Sequence, residues 1–403
     1  MSAVETTPAD SPHRNTAWLR GLVADLAAIQ RPTGTSGERE AAEWLVARLA
    51  EHGVEATIED ERLHSTYWWP LGLSAGAGMI AALAALRGRR TLGFALGAVA
   101  AAAAFDDLPP QRRGLRRLLP KRSVSNVVAT VGPDEAPRTV VLVAHHDAAH
   151  SGLVFHPAIP ETLFGLFPKV LERNDTSPPL MAPVVGGPAL AAAGALTGSR
   201  ALARAGLVLS AGSALAMADI GTREVVPGAN DNATGVATLV AIARTLAETP
   251  TENVRVMLVS TSEEATCEGM QAFAARHFPE LPVESTFVLA IDTVGSPHLT
   301  VLRGEGMIRM RDYPSRSLAL LDGLAEELGI WLFPNLRLRN ATDGVLPLAA
   351  GYECASLCSC TELKQPANYH WPTDTADRVD YETTADAVGL VEAVVRRLDE
   401  RWL

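Results

Sequence analysis

The stretch VVLVAHHDAAHSG, residues 140–152, is aliphatic and β-branched until it stops at His145, His146 and Asp147. A strand meeting its loop gives one account of that ending, and a metal ligand, His145 with Asp147 behind it, gives another. The second needs partners at the C-terminal ends of other strands, where ligand sites in α/β sheets collect. Asp231 stands in PGANDNATG, a Gly-flanked turn before a helix, and VMLVSTSEEATCEG ends a strand at Glu263 and Glu264. FVLAIDTVG ends another at Asp292, and His370 lies in NYHWPTDTADRVD, a loop before the last helix. Each has an ordinary alternative: a helix N-cap for Asp231, solvated loop acids for the glutamates, a strand-end turn residue for Asp292, a surface histidine for His370. Taken together they form one inventory. Two histidines and three carboxylates without cysteine suit two Zn²⁺ ions bridged by a carboxylate.

The elements that would position these residues can be read from periodicity. Trp18, Leu22, Leu26 and Ile29 repeat at helical spacing. RPTGTSGER breaks that helix, and Thr35 with Glu38 has the capping-box pattern for a second helix reaching about Leu49. Gly53 fits its C-cap, and Val54, Ala56 and Ile58 alternate as a strand. Further strands are expected at 124–131, 139–144, 254–261, 286–292, 299–303 and 354–359. Helices are expected after Asn232, around 268–277, at 315–328 and at 382–399. Such a series makes an α/β domain, a mixed central β-sheet flanked by helices on both faces. Residues 1–15 read as disordered, and 16–403 as one catalytic domain.

Two stretches depart from that pattern, 67–105 and 176–219. Each is an apolar helical hairpin with an arginine-containing break, so the domain carries two inserted apolar hairpins. Their second arms hold uncharged runs at 91–105 and 205–218, short of the ~17–25 residues needed to span a bilayer. A soluble cap, a dimer interface and membrane insertion with snorkelling arginines all remain open. Trp68 and Trp69 fit an interfacial anchor. The cluster Arg112, Arg113, Arg116, Arg117, Lys121 and Arg122 outnumbers the three arginines of the first tip. It therefore favours a membrane-associated protein with a cytoplasmic catalytic domain, a soluble cytoplasmic one being the alternative. Hydrophobic content of 47% and mean hydropathy of +0.10 reflect these insertions, and a net charge of -11 argues against nucleic acid as a partner. The four cysteines lack paired C-x2-C spacing and read as small buried hydrophobes, with no disulfide framework. The first 16 residues show no apolar signal segment.

With HHD, GANDN, EE, ID and YH in that order, the chain resembles the co-catalytic di-zinc aminopeptidase family that includes the bacterial leucyl aminopeptidases. Its more distant relatives are glutamate carboxypeptidase II and the glutaminyl cyclases. RPTGTSGEREAAEWLVARLAEHGV, SVSNVVATVGP and NATDGVLPLAAGY extend the likeness over most of 15–66, 121–152 and 224–403, and over no part of the insertions. The resemblance implies the zinc exopeptidase fold, a peptide substrate and two Zn²⁺ per chain. It implies that His145 and Asp292 bind one metal, that Glu264 and His370 bind the other, and that Asp231 bridges them. Asp147 would orient His145, and Glu263 would be the general base. After Glu264 this chain reads ATCEGM where the family has Gly-Leu-x-Gly-Ser, so side-chain preference is not inherited.

The carboxypeptidase and aminoacylase type carries a lid of roughly a hundred residues before its last histidine. Only 77 residues separate Asp292 from His370 here. A zinc-dependent exopeptidase, foremost an aminopeptidase, is therefore the expected function. A di-zinc carboxypeptidase or amidohydrolase and a glutaminyl-cyclase-like enzyme are the alternatives, and a non-catalytic membrane scaffold would have lost ligands that are present here.

Overall fold

The computed structural model describes residues 15–64, 66–111, 113–262 and 266–403. The expected disordered N-terminus lies almost wholly outside these residues. So do Arg112, Glu263 and Glu264.

Helices α1 (Thr16–Ala27) and α2 (Ser36–Ala50) lead into strand β1 (Ala56–Leu63). The first hairpin follows as α3 (Trp68–Leu86) and α4 (Arg90–Asp107), and then β2 (Arg122–Val131) and β3 (Arg138–His145). Two short helices, α5 (Ala158–Leu166) and α6 (Pro168–Arg173), precede the second hairpin, α7 (Ala182–Thr197) and α8 (Arg200–Thr222). The remainder alternates: α9 (Thr234–Glu248), β4 (Val254–Thr261), α10 (Glu268–His277), β5 (Thr286–Ile291) and β6 (His298–Val301). Small strands β7 (Gly304–Glu305) and β8 (Arg311–Asp312), helix α11 (Ser315–Leu328) and strand β9 (Arg337–Leu338) come next. The chain closes with α12 (Val345–Ala350), β10 (Glu353–Cys360) and α13 (Tyr381–Glu400).

Seven strands form the main sheet in the order β1-β2-β4-β3-β5-β10-β6, and β8-β7-β9 form a small second sheet. The middle of the main sheet, β4-β3-β5-β10, is parallel, while β1, β2 and β6 pair antiparallel at its flanks. Alternation along β3 shows why its sequence is apolar throughout. Val140, Leu142 and Ala144 face the cluster built on α1, α2, α9 and α13, whereas Val141 and Val143 face the one holding Met270 and Phe273 of α10. All four cysteines are buried and free, three of them on β10.

Local signals were followed with one informative exception. Gly53 ends α2 with φ +73°, as a helix C-cap requires. Thr35 caps α2 through its Oγ1, which accepts from Glu38 N at 3.5 Å. The reciprocal half of the box does not form. The Glu38 carboxylate instead accepts from Ser125 N at 2.9 Å and meets His146 Nε2 at 3.2 Å, because both offer buried polar atoms that need a partner.

The two hairpins pack against each other as one four-helix bundle of α3, α4, α7 and α8. Its interior is made of small residues: Ala81, Ala82 and Ala191 form its centre, and an added Cβ at Gly206 would lie 2.5 Å from Ala191 N. The large apolar side chains point outward, among them Leu73, Ile80, Phe94, Val99, Val208 and Leu215. At the tips each hairpin caps the other. Arg90 donates to Ala195 O at 2.8 Å and Leu196 O at 2.5 Å, and Arg200 donates to Leu86 O at 3.3 Å. These are the orphan carbonyls of helix C-termini.

The basic stretch after α4 is not a solvated linker throughout. Arg116 is buried and pairs with Asp107 at 2.8 Å and with Glu268 at 3.4 Å; Arg113, also buried, donates to Thr266 O. The count of basic residues that favoured a cytoplasmic catalytic domain is reduced accordingly.

Close approach through glycine can be tested directly. Gly206→Val should destabilise the bundle by about 1–3 kcal/mol through overpacking. Gly212→Ala, with no atom within 4 Å of the added Cβ, should be stabilising by about 0.5–1 kcal/mol. Thermal unfolding followed by circular dichroism should place the two variants on opposite sides of the parent.

Candidate metal centre

β3 delivers His145 as its last residue, opposite Thr261 of β4 in the sheet register. Two residues on, Asp147 is fully buried and accepts a hydrogen bond from the Thr33 hydroxyl. Asp231 arrives from a turn in which Gly228 has φ +64°; a Cβ there would lie 2.6 Å from Asp231 O. Asp374 fixes that turn by accepting from Asn230 N at 2.8 Å and Asp231 N at 3.1 Å. The peptide between Asp231 and Asn232 is cis. Asn232 then reaches across to the end of β5: its amide donates to Ile291 O at 2.9 Å and its Oδ1 accepts from Thr293 N at 3.0 Å. Asp292 therefore sits between two residues held by Asn232. His370, in the loop before α13, is buried and lies against Phe155, with ring centroids 4.6 Å apart.

These side chains converge. His145 Nε2 is 3.3 Å from Asp231 Oδ1, and His370 Nε2 is 3.3 Å from Asp231 Oδ2, so the two oxygens of one carboxylate address two different imidazoles. His145 Nδ1 faces Asp147 Oδ1 at 3.5 Å. Ligand atoms of His145, Asp231 and Asp292 all lie within 4.8 Å of one another. Burial alone would lower the His145 pKa, but Asp147 and Asp231 hold it well above the usual histidine value. Burial works the other way on Asp231, yet His145 and His370 keep its carboxyl below the ordinary range. A buried carboxylate whose two oxygens address two imidazoles is a donor set that suits a divalent cation, which displaces the proton from nitrogen.

The other sequence candidates divide. Glu263 and Glu264 lie outside the described residues, but the positions on either side of them are anchored. Asn126 accepts from Ser262 N at 3.2 Å and donates to Gly269 O at 2.9 Å. His146 points away from the centre, to Ser260 and Glu38. His150 bonds Arg223 O at 2.7 Å and packs on Trp68.

Two residues escaped the sequence reading. Arg31 is fully buried and donates to the carbonyls of His146 and Gly228 at 2.6 Å each, tying the Asp147 turn to the Asp231 turn; burial lowers its pKa to about 10. Glu305 accepts from Tyr313 and from Thr342, and burial pushes its carboxyl up to about 7. Little local marks either residue, because Arg31 bonds backbone 115 and 197 positions away and Glu305 bonds Thr342, 37 positions away.

A cavity of about 680 Å³ opens beside Asp231 and Asp292 and runs in between Leu302, Leu336 and Cys358. Its apolar walls suit a side chain of a small ligand.

Comparison with known proteins agrees with this geometry. Residues 213–395 match the model of Peptidase family M28, a span that includes Asp231, Glu263, Glu264, Asp292 and His370. No curated protein sequence matches the chain. Among solved structures, a Zn-dependent exopeptidase from Parabacteroides distasonis superposes with a TM-score of 0.55 at 14% identity, over 95% of this chain and 98% of its own. The glutaminyl cyclase of Tannerella forsythia gives 0.56 at 16% identity, over 95% and 99%. An aminopeptidase from Aneurinibacillus sp. strain AM-1 gives 0.55 at 14% identity, over 96% and 94%. At such identities the structures establish a shared fold, the mixed α/β sheet of the zinc exopeptidases. Together with the match to Peptidase family M28 over residues 213–395, that fold supports a metallopeptidase.

Proposed function

We propose that the protein is a di-zinc aminopeptidase anchored in a membrane by its helical bundle. The observation that carries the catalytic part is the convergence of His145 and His370 on the two oxygens of Asp231, which gives that carboxylate the place of a bridging ligand. His145 and Asp292 would hold one zinc, Glu264 and His370 the other. Bound there, the metals supply Lewis acidity and lower the pKa of water. Asp147 keeps Nδ1 of His145 protonated, so that Nε2 is the free lone pair. Glu263 takes the proton from the attacking water and returns it to the departing amine nitrogen, breaking the C–N bond behind the N-terminal residue.

Membrane anchoring is supported by the inside-out character of the bundle. Small residues fill its interior and Leu, Ile, Val and Phe cover its outside, the arrangement of helices that associate in lipid by close packing. Two of its helices, Trp68–Leu86 and Arg200–Thr222, are long and apolar enough to cross a membrane. The shorter uncharged runs are about 22 Å at ~1.5 Å per residue, and arginine side chains at the tips extend them.

Purified protein should carry about two zinc ions per chain, measured by atomic emission. Asp231→Ala should lose more metal than His145→Ala or His370→Ala, and Asp147→Asn should weaken metal affinity by about 10–100-fold. Full activity in a chelated, metal-free preparation would end the zinc reading.

Glu263→Gln should keep metal and fold yet lose turnover of an aminoacyl-anilide by roughly 10²–10⁴. Glu264→Gln should lower metal content instead. Near-parental rates for Glu263→Gln would remove it from the role of base.

Untagged protein should sediment with membranes through a high-salt wash and be released by detergent. Its recovery without detergent, as a monodisperse monomer or as a dimer, would replace the anchor by a cap or a dimer interface.

A further inference from the structure

Two cavities meet beside His370. The first holds Asp231 and Asp292 and ends on buried Leu302, Leu336 and Cys358. The second, about 620 Å³, runs between the 154–164 segment on one side and Pro178, Leu180 and Tyr369 on the other. Pro178, Leu180, Gln365 and Tyr369 line both, so the two spaces adjoin at these residues.

The walls of the second space are apolar. Val154, Ile159, Leu163 and Phe164 face Leu180, and among the described residues its lining holds no charged side chain. Helix α5 contributes most of one wall and buries none of its own residues. Leu163 stays 52% exposed and Ile159 44%, so the apolar surface of α5 is left for something outside the fold. The placement of this wall is fixed from both ends. Leu153 N donates to Asp219 of α8 at 2.6 Å, and Ser177 N donates to Arg337 O at 3.0 Å, at the edge of the small sheet. The 154–180 part of the groove lining precedes the segment that matches the family model, whereas Gln365, Asn368 and Tyr369 lie within it.

An exopeptidase that removes one terminal residue needs a closed pocket for that residue and an open path for the rest of the chain. The cavity ending at Leu302 and Cys358, whose end wall is buried, suits the terminal residue, and the groove along α5, whose wall is exposed, suits the rest of the chain. We propose that this groove binds the residues following the scissile bond and that it selects peptides with a hydrophobic stretch directly behind the N-terminal residue. Nine helical residues in α5 span about 13 Å, the length of roughly four residues of extended peptide. This inference rests on the aminopeptidase reading and specifies its substrate class.

Two peptides test it, Leu-Leu-Val-Leu-Lys and Leu-Gly-Ser-Gly-Lys, which share the first residue and the solubilising lysine. Full-length zinc-loaded enzyme in detergent should cleave the first with a kcat/KM on the order of 10-fold or more higher. Ile159→Glu and Leu163→Glu, changes at exposed positions, should drive that ratio toward one. Partition of the apolar peptide into detergent would leave the ratio equal in parent and variants, so an unchanged ratio in both variants overturns the groove. Equal kcat/KM values in the parent overturn it as well. Reduced-bond analogues of the two peptides, titrated calorimetrically into chelated protein, should show the same preference in Kd; equal affinities there count against the groove. Turnover of leucyl-anilide with no discrimination between the peptides sinks the groove alone, whereas no turnover of any substrate sinks the aminopeptidase reading and the groove with it.

Discussion

Carboxylates gathered in one buried place repel one another, and most of the centre is arranged around that repulsion. Asp147, Asp231 and Asp374 are each at most 3% exposed, and Asp292 adds a fourth acid nearby. In low dielectric an uncompensated set of this kind would protonate or open the fold. Part of the compensation is visible in the chain itself. Arg31 stands fully buried among three of these acids, His145 and His370 pair with Asp231, and Asp374 is pushed up to about 7, chiefly by burial. The remaining demand for positive charge is met by divalent metal in the proposed reading. On that account the second-layer contacts, from Arg31, Asn232 and Asp374, serve to hold like charges close enough to share an ion.

The same economy of positions explains how two hairpins can leave the sheet without disturbing the site. The first leaves after β1 and returns before β2, and the second follows β3, so all the junctions lie around one edge of a parallel-centred sheet. Insertion at loops costs little chain entropy. What fixes the bundle to the catalytic domain is a small number of specific contacts. Phe155 packs both with the cluster of Tyr67, Leu71 and Ile220 at the base of the bundle and on the ring of His370. On the other side, Asp107 at the end of α4 pairs with Arg116, which also meets Glu268 at the start of α10. Breaking such a buried pair would leave a charge uncompensated, which gives the junction its rigidity.

Much of this was legible in the sequence, for a physical reason. Strands buried on both faces are uniformly apolar, so a polar residue at their C-terminal end stands out, and His145 and Asp292 were read that way, whereas Asp231 and His370 were read from turn-rich loops. Their joint geometry needed the structure. The two hairpins were visible by hydropathy, but which of their faces meet in the bundle was not, because glycine and alanine interiors carry no partner signature. Residues 153–173 gave no helical signal since α5 buries no face and so has no apolar periodicity to detect. Arg31 and Asn126 were illegible for a different reason. Each acts on distant backbone atoms, and a side chain bonded to a main-chain carbonyl leaves no trace in the partner's residue type. Thr35 and Glu38 show the opposite failure, a local pattern that tertiary contacts override.

The helical bundle adjoins the candidate metal centre. The base of the bundle, the exposed α5 wall and the His370 loop are neighbours through Phe155, which touches all three. In the proposed reading, an aminopeptidase with this layout would meet its substrate beside a membrane. The groove and the bundle then answer one requirement. A hydrophobic peptide is poorly soluble in water, and an enzyme that holds its active site next to a membrane, behind an apolar wall, keeps the peptide out of water from arrival to cleavage.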